Sequence, residues 1–306
     1  MEKVYDNVDL ESIFSVLGAI ERDTKYSDLP FVFNYIFSKF RELKNSGIFT
    51  SHEIDIAANL STLYKNFVRE KCTINHDLYD DEISQIYDRF LKTISISHDE
   101  PFHIYTTNYD RVVETYWEGK EEINDLFKKV GGLEELDVGL LSSAVGRIKL
   151  VKLHGSLDWF KLTTGKIIRS SDYKRSKIGG SRVQGEQMLY PIQQKDLYKH
   201  PWYDIFKQFK IDLSKTRNWI VIGYSFNDEF IRNMFLEVLG QEGQRSRMLI
   251  VHPRANEIIK KFRWENIQNV KPVPDKMGQT STPKVIVEVL RSLGYDLPVE
   301  NGNKGT

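Results

Sequence analysis

Three short runs hold the side chains best suited to chemistry, and each follows a stretch of apolar residues. The first is Ile104-Tyr105-Thr106-Thr107-Asn108-Tyr109-Asp110, which sets a carboxamide and a carboxylate behind two small hydroxyl residues. An amide orients a water molecule or a sugar hydroxyl, and a carboxylate accepts from an amide donor. Asn108 and Asp110 are equally the residue types that cap a helix, so both roles stand. The second run is Leu150-Val151-Lys152-Leu153-His154-Gly155-Ser156-Leu157-Asp158-Trp159. A histidine directly before Gly-Ser is expected exposed at a turn, where its titration range suits general-base work. A lone histidine also serves structural ends. The third run is Trp219-Ile220-Val221-Ile222-Gly223-Tyr224-Ser225-Phe226-Asn227-Asp228-Glu229. Gly223 admits close approach of a ligand to the backbone. Ser225 offers a hydroxyl for a phosphate or ribose, and Asn227 or Asp228 starts a helix whose amino end favours anions. The same residues also suit an ordinary strand–turn–helix connection.

Elements of the right kind are present to position these runs. After Pro101, strand-length apolar stretches alternate with amphipathic helical ones. The expected strands are Phe102 to Tyr105, Ile148 to Leu153, Trp219 to Ile222 and Met248 to Val251. The expected helices are Glu229 to Leu239, Asn256 to Phe262 and Lys284 to Leu290. Repeated strand–helix order predicts an α/β fold, a Rossmann-like and mostly parallel sheet flanked by helices. Such sheets bind ligands beyond the carboxyl ends of their strands, where all three runs fall.

The first hundred residues read instead as helices: Leu10 to Ile20 behind Asp9, Phe31 to Leu43, Ile54 to Val68, and a fourth marked by Ile83, Ile86, Tyr87, Phe90 and Leu91. The domain expectation is therefore a helical region over 1–100, packing on the sheet or offering an interface. A nucleotide-binding core over 101–295 and a flexible polar tail over 296–306 complete it. Between Phe160 and Arg182 lies a basic, turn-rich segment with seven lysines and arginines against Asp172. A hairpin of Trp159–Leu162 with Ile167–Ile168 around Thr164-Gly165 is expected there. The rest reads as a solvated loop, or as a patch for phosphates or a polynucleotide.

Composition narrows the partners. The 306 residues carry 43 Lys+Arg and 43 Asp+Glu, a net charge of zero, so nothing global favours nucleic acid or an anionic surface. Cys72 is the single cysteine, which excludes an internal disulfide framework and paired-cysteine zinc knuckles. No apolar stretch is long enough to span a bilayer and no secretory leader is evident, so a cytoplasmic location without membrane partners is expected.

In combination and order, the runs TTNYD, LHGSLDW and IGYSFNDEFI resemble the bacterial sirtuin-like family, relatives of the NAD-dependent deacylases found in antiphage defence. The similarity covers about Pro101 to Pro253. It implies NAD as substrate, with Asn108 and His154 as catalytic residues, the latter the base. Thr106, Thr107, Asp110, Gly155, Gly223, Ser225 and Asn227 would be its nucleotide-binding set. Deacylases of the family carry four zinc-binding cysteines, which this chain lacks. The resemblance thus implies a zinc-independent branch that hydrolyses NAD to nicotinamide and ADP-ribose. A non-catalytic NAD or ADP-ribose sensor, or a nucleic-acid-acting subunit, is the alternative. Homo-oligomers and a defence partner such as a helicase-like ATPase or an Argonaute are also implied. The family's opening strand with its Gly-Ala-Gly loop should precede the helical region. Leu17-Gly18-Ala19-Ile20 does not supply it, so either the chain starts downstream of that loop, the favoured expectation, or its NAD site is incomplete.

Overall fold

The computed structural model describes residues 69–70, 72–73, 81–88, 102–118, 123–143, 146, 148–171, 176–189, 197–240, 246–267, 269–277, 284–285, 287–288 and 291. The chain divides into two compact units, Met1–Lys71 with Leu189–Lys195, and Cys72–Met188 with Asp196–Thr306. The three runs lie in the second. Of the expected amino-terminal helices, the first three fall outside the described residues. The fourth is represented by a helical stretch over 81–88. There the Tyr87 ring stacks on Tyr116 at 4.9 Å.

Parallel strands form the base of the site. Strand β1 (Phe102–Thr106) pairs in parallel with β5 (Ile148–Lys152), which also pairs with the short β2 (Ile123–Asn124). Strand β10 (Asn218–Ile222) pairs with β11 (Arg247–Val251), and β11 with β12 (Val270–Val273), again in parallel. The expected parallel α/β architecture is therefore present, but its strands fall into two three-stranded sheets. β5 is buried along its whole length, as a strand covered on both faces must be. One apolar cluster joins Ile148 and Leu150 of β5 to Leu249 and Val251 of β11 and Val273 of β12. Helix α1 (Val112–Trp117) adds Val113, Tyr116 and Trp117 to it.

Of two longer helices, only the second was expected from the sequence. Helix α2 (Trp202–Lys215) buries Trp202, Ile205, Phe206, Phe209 and Leu213, a stripe at three- and four-residue intervals. Helix α3 (Glu229–Leu239) buries Ile231, Met234, Phe235 and Val238 on the same rule, with bounds as predicted. Helix α4 (Ala255–Lys261) falls within one residue of its expected span. Of Lys284 to Leu290, the described residues 284–285 and 287–288 are helical.

The basic segment departs from expectation. It is no solvated loop but part of a six-stranded antiparallel sheet ordered β3-β4-β7-β6-β9-β8. Its members are β3 (Phe127–Val130), β4 (Leu133–Leu136), β6 (Gly155–Leu162), β7 (Ile167–Arg169), β8 (Lys177–Ile178) and β9 (Ser181–Met188). The hairpin at Thr164-Gly165 is where it was predicted, pairing Phe160 with Ile168 and Lys161 with Ile167. Phe160, Leu162, Ile168 and Ile178 form its small core. Two of its basic residues meet acids distant in sequence. Lys166 meets Glu135 at 2.8 Å, and Arg169 meets Asp125 at 2.6 Å while lying over the Phe127 ring. Residues 172–175 lie outside the described set.

Candidate functional site

At the end of β1 the chain leaves the sheet through a turn that its own side chains build. Thr106 Oγ1 accepts from the Asn108 N–H at 3.1 Å, and Asp110 Oδ1 accepts from the Val112 N–H at 3.0 Å. Asp110 therefore performs the helix-starting role that its residue type allows. Thr107 and Asp110 are half-buried, whereas Asn108 is exposed, with no side-chain hydrogen bond among the described residues. Its amide is thus available to a ligand.

Backbone hydrogen bonds clamp this turn onto the second run. The Thr106 carbonyl accepts from Leu153 N–H at 2.8 Å, and the Tyr109 carbonyl from Leu157 N–H at 3.1 Å. Ser156 Oγ donates to the same Tyr109 carbonyl at 3.1 Å. Beneath the clamp, Lys152 Nζ donates to the Asp110 carbonyl and pairs with Glu114 Oε1 at 3.1 Å, both side chains at most 5% exposed. Removing that lysine would strand a charge inside the protein.

His154 sits in the turn between β5 and β6, as expected, but it is not exposed there. The residue is 7% exposed, flanked by the Tyr109 ring at 6.4 Å and in contact with Asp228. Sequence-local logic placed a polar side chain at a turn in solvent, whereas β6 starts at the next residue and closes over it. Gly155 has φ +77, and a Cβ there would lie 2.1 Å from the Gln187 carbonyl oxygen and 2.9 Å from the Trp202 ring. The need for glycine at 155 is thus set by packing of β6 against β9 and α2.

The third run turns back after β10. Gly223 N–H donates to the Val251 carbonyl at 2.9 Å. Its φ is +67, and nothing lies within 4 Å of where a Cβ would be, so space stays open above this backbone. Ser225 is half-buried beside it. Phe226 follows with φ +57, a conformation unusual for a side chain of that size. It is held by burial against Trp264 and Phe235, and by Arg232, whose guanidinium donates to its carbonyl at 2.9 Å. Asn227 accepts from Lys261 at 2.8 Å, on the exposed side of the loop. The buried Tyr224 hydroxyl has no partner among the described residues.

Asp228 joins the third run to the second. Its Oδ1 accepts from Ile231 N–H at 3.2 Å and caps α3, while its Oδ2 lies 3.2 Å from His154 Nε2. Burial alone would raise its carboxyl. The His154 hydrogen bond, the Ile231 N–H, the imidazole charge and the Phe230 N–H together hold it below the ordinary carboxylate range. Sequence reasoning recognised Asp228 only as a helix starter; its pairing with a residue 74 positions away left no local signal. Lys152 and Glu114 were likewise missed, although a lysine inside the apolar run Ile148–Leu153 was a signal. Cys72 is no candidate nucleophile, because burial, with Asp110 nearby, pushes its thiol up.

The structure thus brings Thr106, Asn108, Asp110, His154, Gly223, Ser225 and Asp228 to the carboxyl ends of parallel strands, where α/β sheets bind nucleotides. The sequence model of the SIR2-like domain matches residues 103–273, more than half of the chain. The chain belongs to the SIR2-like domain family. No curated protein matches it at a significant level. Among the described residues, no helix is long and apolar enough to cross a membrane.

Proposed function

We propose that this SIR2-like domain binds NAD across the ends of β1, β5 and β10 and hydrolyses it to nicotinamide and ADP-ribose. The observation that carries the reading is the convergence of the three runs: the Tyr109 carbonyl clamp joins the first to the second, and the His154–Asp228 pair joins the second to the third. The exposed, unengaged Asn108 amide and the open space above Gly223 fit a polar ligand laid along the strand ends. Cleaving the bond between nicotinamide and ribose develops oxocarbenium character at the anomeric carbon. Water then adds to that carbon, nicotinamide leaves, and one proton is released. Asn108 holds the water or the ribose hydroxyls, and His154 takes the proton. Asp110 stands beside the nicotinamide carboxamide. Ser225 and the backbone at Gly223 meet the ribose or phosphates, with Thr106, Thr107, Gly155 and Asn227 completing the binding set.

The defence role, the homo-oligomer, and a partner such as a helicase-like ATPase or an Argonaute belong to the same reading. They rest on the order of the motifs.

The test is nicotinamide release from NAD by the purified full-length chain, followed by chromatography. Asn108→Ala and His154→Ala are each expected to slow it by about 10²–10⁴-fold, the usual contribution of a positioned catalytic group. Parental rates in both variants would overturn the assignment. The low exposure of His154 favours a second reading, an NAD or ADP-ribose sensor without turnover. Saturable NAD binding by calorimetry with no nicotinamide released would decide for it.

A further inference from the structure

Asp228 is a half-buried carboxylate with two oxygens and two different partners. The cap on α3 accounts for only one of them. Asn and Ser cap a helix about as well as Asp, so capping alone does not call for a charge placed against an imidazole. That charge is largely withdrawn from water, with side-chain exposures of 16% for Asp228 and 9% for His154. A buried carboxylate persists where donors compensate it, and the donors here are Ile231 N–H, Phe230 N–H and His154. Around the pair stand Tyr109 from the β1 turn, Tyr224 from the β10 loop, and Arg232 and Glu229 of α3. Arg232 is committed to the Phe226 carbonyl and the Phe262 ring.

An ionised carboxylate only accepts, so the proton between the two groups sits on Nε2. Whenever the ring is neutral, as a base must be, its lone pair is then on Nδ1, which has no partner among the described residues. We infer that Asp228 is a positioning residue that fixes His154 in the Nε2–H tautomer and makes Nδ1 the atom that receives the proton. This inference rests on the hydrolase reading for its kinetic consequence, though not for the tautomer itself.

Asp228→Asn in the full-length chain separates the two duties. The asparagine oxygen keeps the cap, while its NH₂ donates toward Nε2 and forces the ring proton onto Nδ1. Where an aspartate fixes a histidine tautomer, this exchange lowers kcat by about 10⁴-fold. Nicotinamide release is expected to fall by about 10²–10⁴-fold, with NAD affinity little changed and the variant still folded. In ¹⁵N-histidine-labelled protein, with His154 assigned by difference from His154→Gln, the protonated nitrogen should change from Nε2 to Nδ1. Asp228→Ser also caps the helix but is too short to reach the ring. It should show a mixture of tautomers and an intermediate rate, and it keeps the test decisive if the asparagine variant folds poorly. A parental tautomer in both variants overturns the inference. A changed tautomer with parental nicotinamide release overturns its kinetic half. If His154→Ala itself keeps the parental rate, the hydrolase reading falls, and the ring nitrogens still report whether Asp228 sets the tautomer.

Discussion

Lys152 and Glu114 show how much a single buried contact supports the site. Lys152 reaches the Asp110 carbonyl and the Glu114 carboxylate, so it ties the turn after β1 to helix α1 from below. Glu114 Oε2 has no partner of its own, so the ion pair is its only compensation among the described residues. Removing one member of a buried pair costs about 3–5 kcal/mol, whereas replacing both by apolar groups is often close to neutral. Lys152→Met alone is therefore expected to destabilise the chain by about that amount in urea unfolding, and Lys152→Met with Glu114→Leu to recover most of it. Equal losses in the single and double variants would remove the pair from this account. Both variants lose the Lys152 bond to the Asp110 carbonyl, so both should lose NAD affinity even where the double recovers stability.

Helix α3 is the element whose fate is bound to an ionisation. The carboxylate of Asp228 is held below its ordinary value in the folded chain, so folding is favoured by the charged form. Its contribution is fully present above the unfolded carboxylate value of about 4 and fades as the pH falls through the lower folded value. The melting-temperature advantage of the parental chain over Asp228→Asn is thus expected to be constant near neutrality and to shrink on acidification below about pH 4. An advantage that grows on acidification would contradict the sign. The elements themselves were legible where their periodicity was local. The stripe of Ile231, Met234, Phe235 and Val238 marked α3, and the unbroken apolar run of β5 marked a strand covered on both faces. The antiparallel sheet was legible only at its β6–β7 hairpin, because β3, β4 and β8 are short and charged and β4 pairs with β7, distant in sequence. Lys166 and Arg169 read as part of a basic segment until Asp125, Glu134 and Glu135 are folded against them. At the site, residue types named Asn108 and His154, but the Asp228 contact depends on bringing two strand ends together.

At the scale of the whole described unit, the parallel strands and the antiparallel sheet meet at the passage from β5 to β6. Gly155 is the residue at which they cross, and its neighbours leave no room for a side chain. Gly165 in the hairpin has a similar positive φ, +85, with open space around it. Comparing Gly155→Ala with Gly165→Ala therefore separates backbone strain from close approach. Both should lose about 1–2 kcal/mol from the left-handed backbone, and only Gly155→Ala should add the larger cost of parting β6 from β9 and Trp202. Thermal denaturation reads the difference, and equal shifts would mean that the crossing is loosely packed.

β6 leaves directly from His154 and runs to Leu162, in the antiparallel sheet between β7 and β9, with its register to β9 shifting twice along the way. Where the path leaves His154, the Gln187 carbonyl and the Trp202 ring stand so close to Gly155 that no side chain fits there. Any movement of β6 relative to β5 has to pass through this crossing, next to the imidazole.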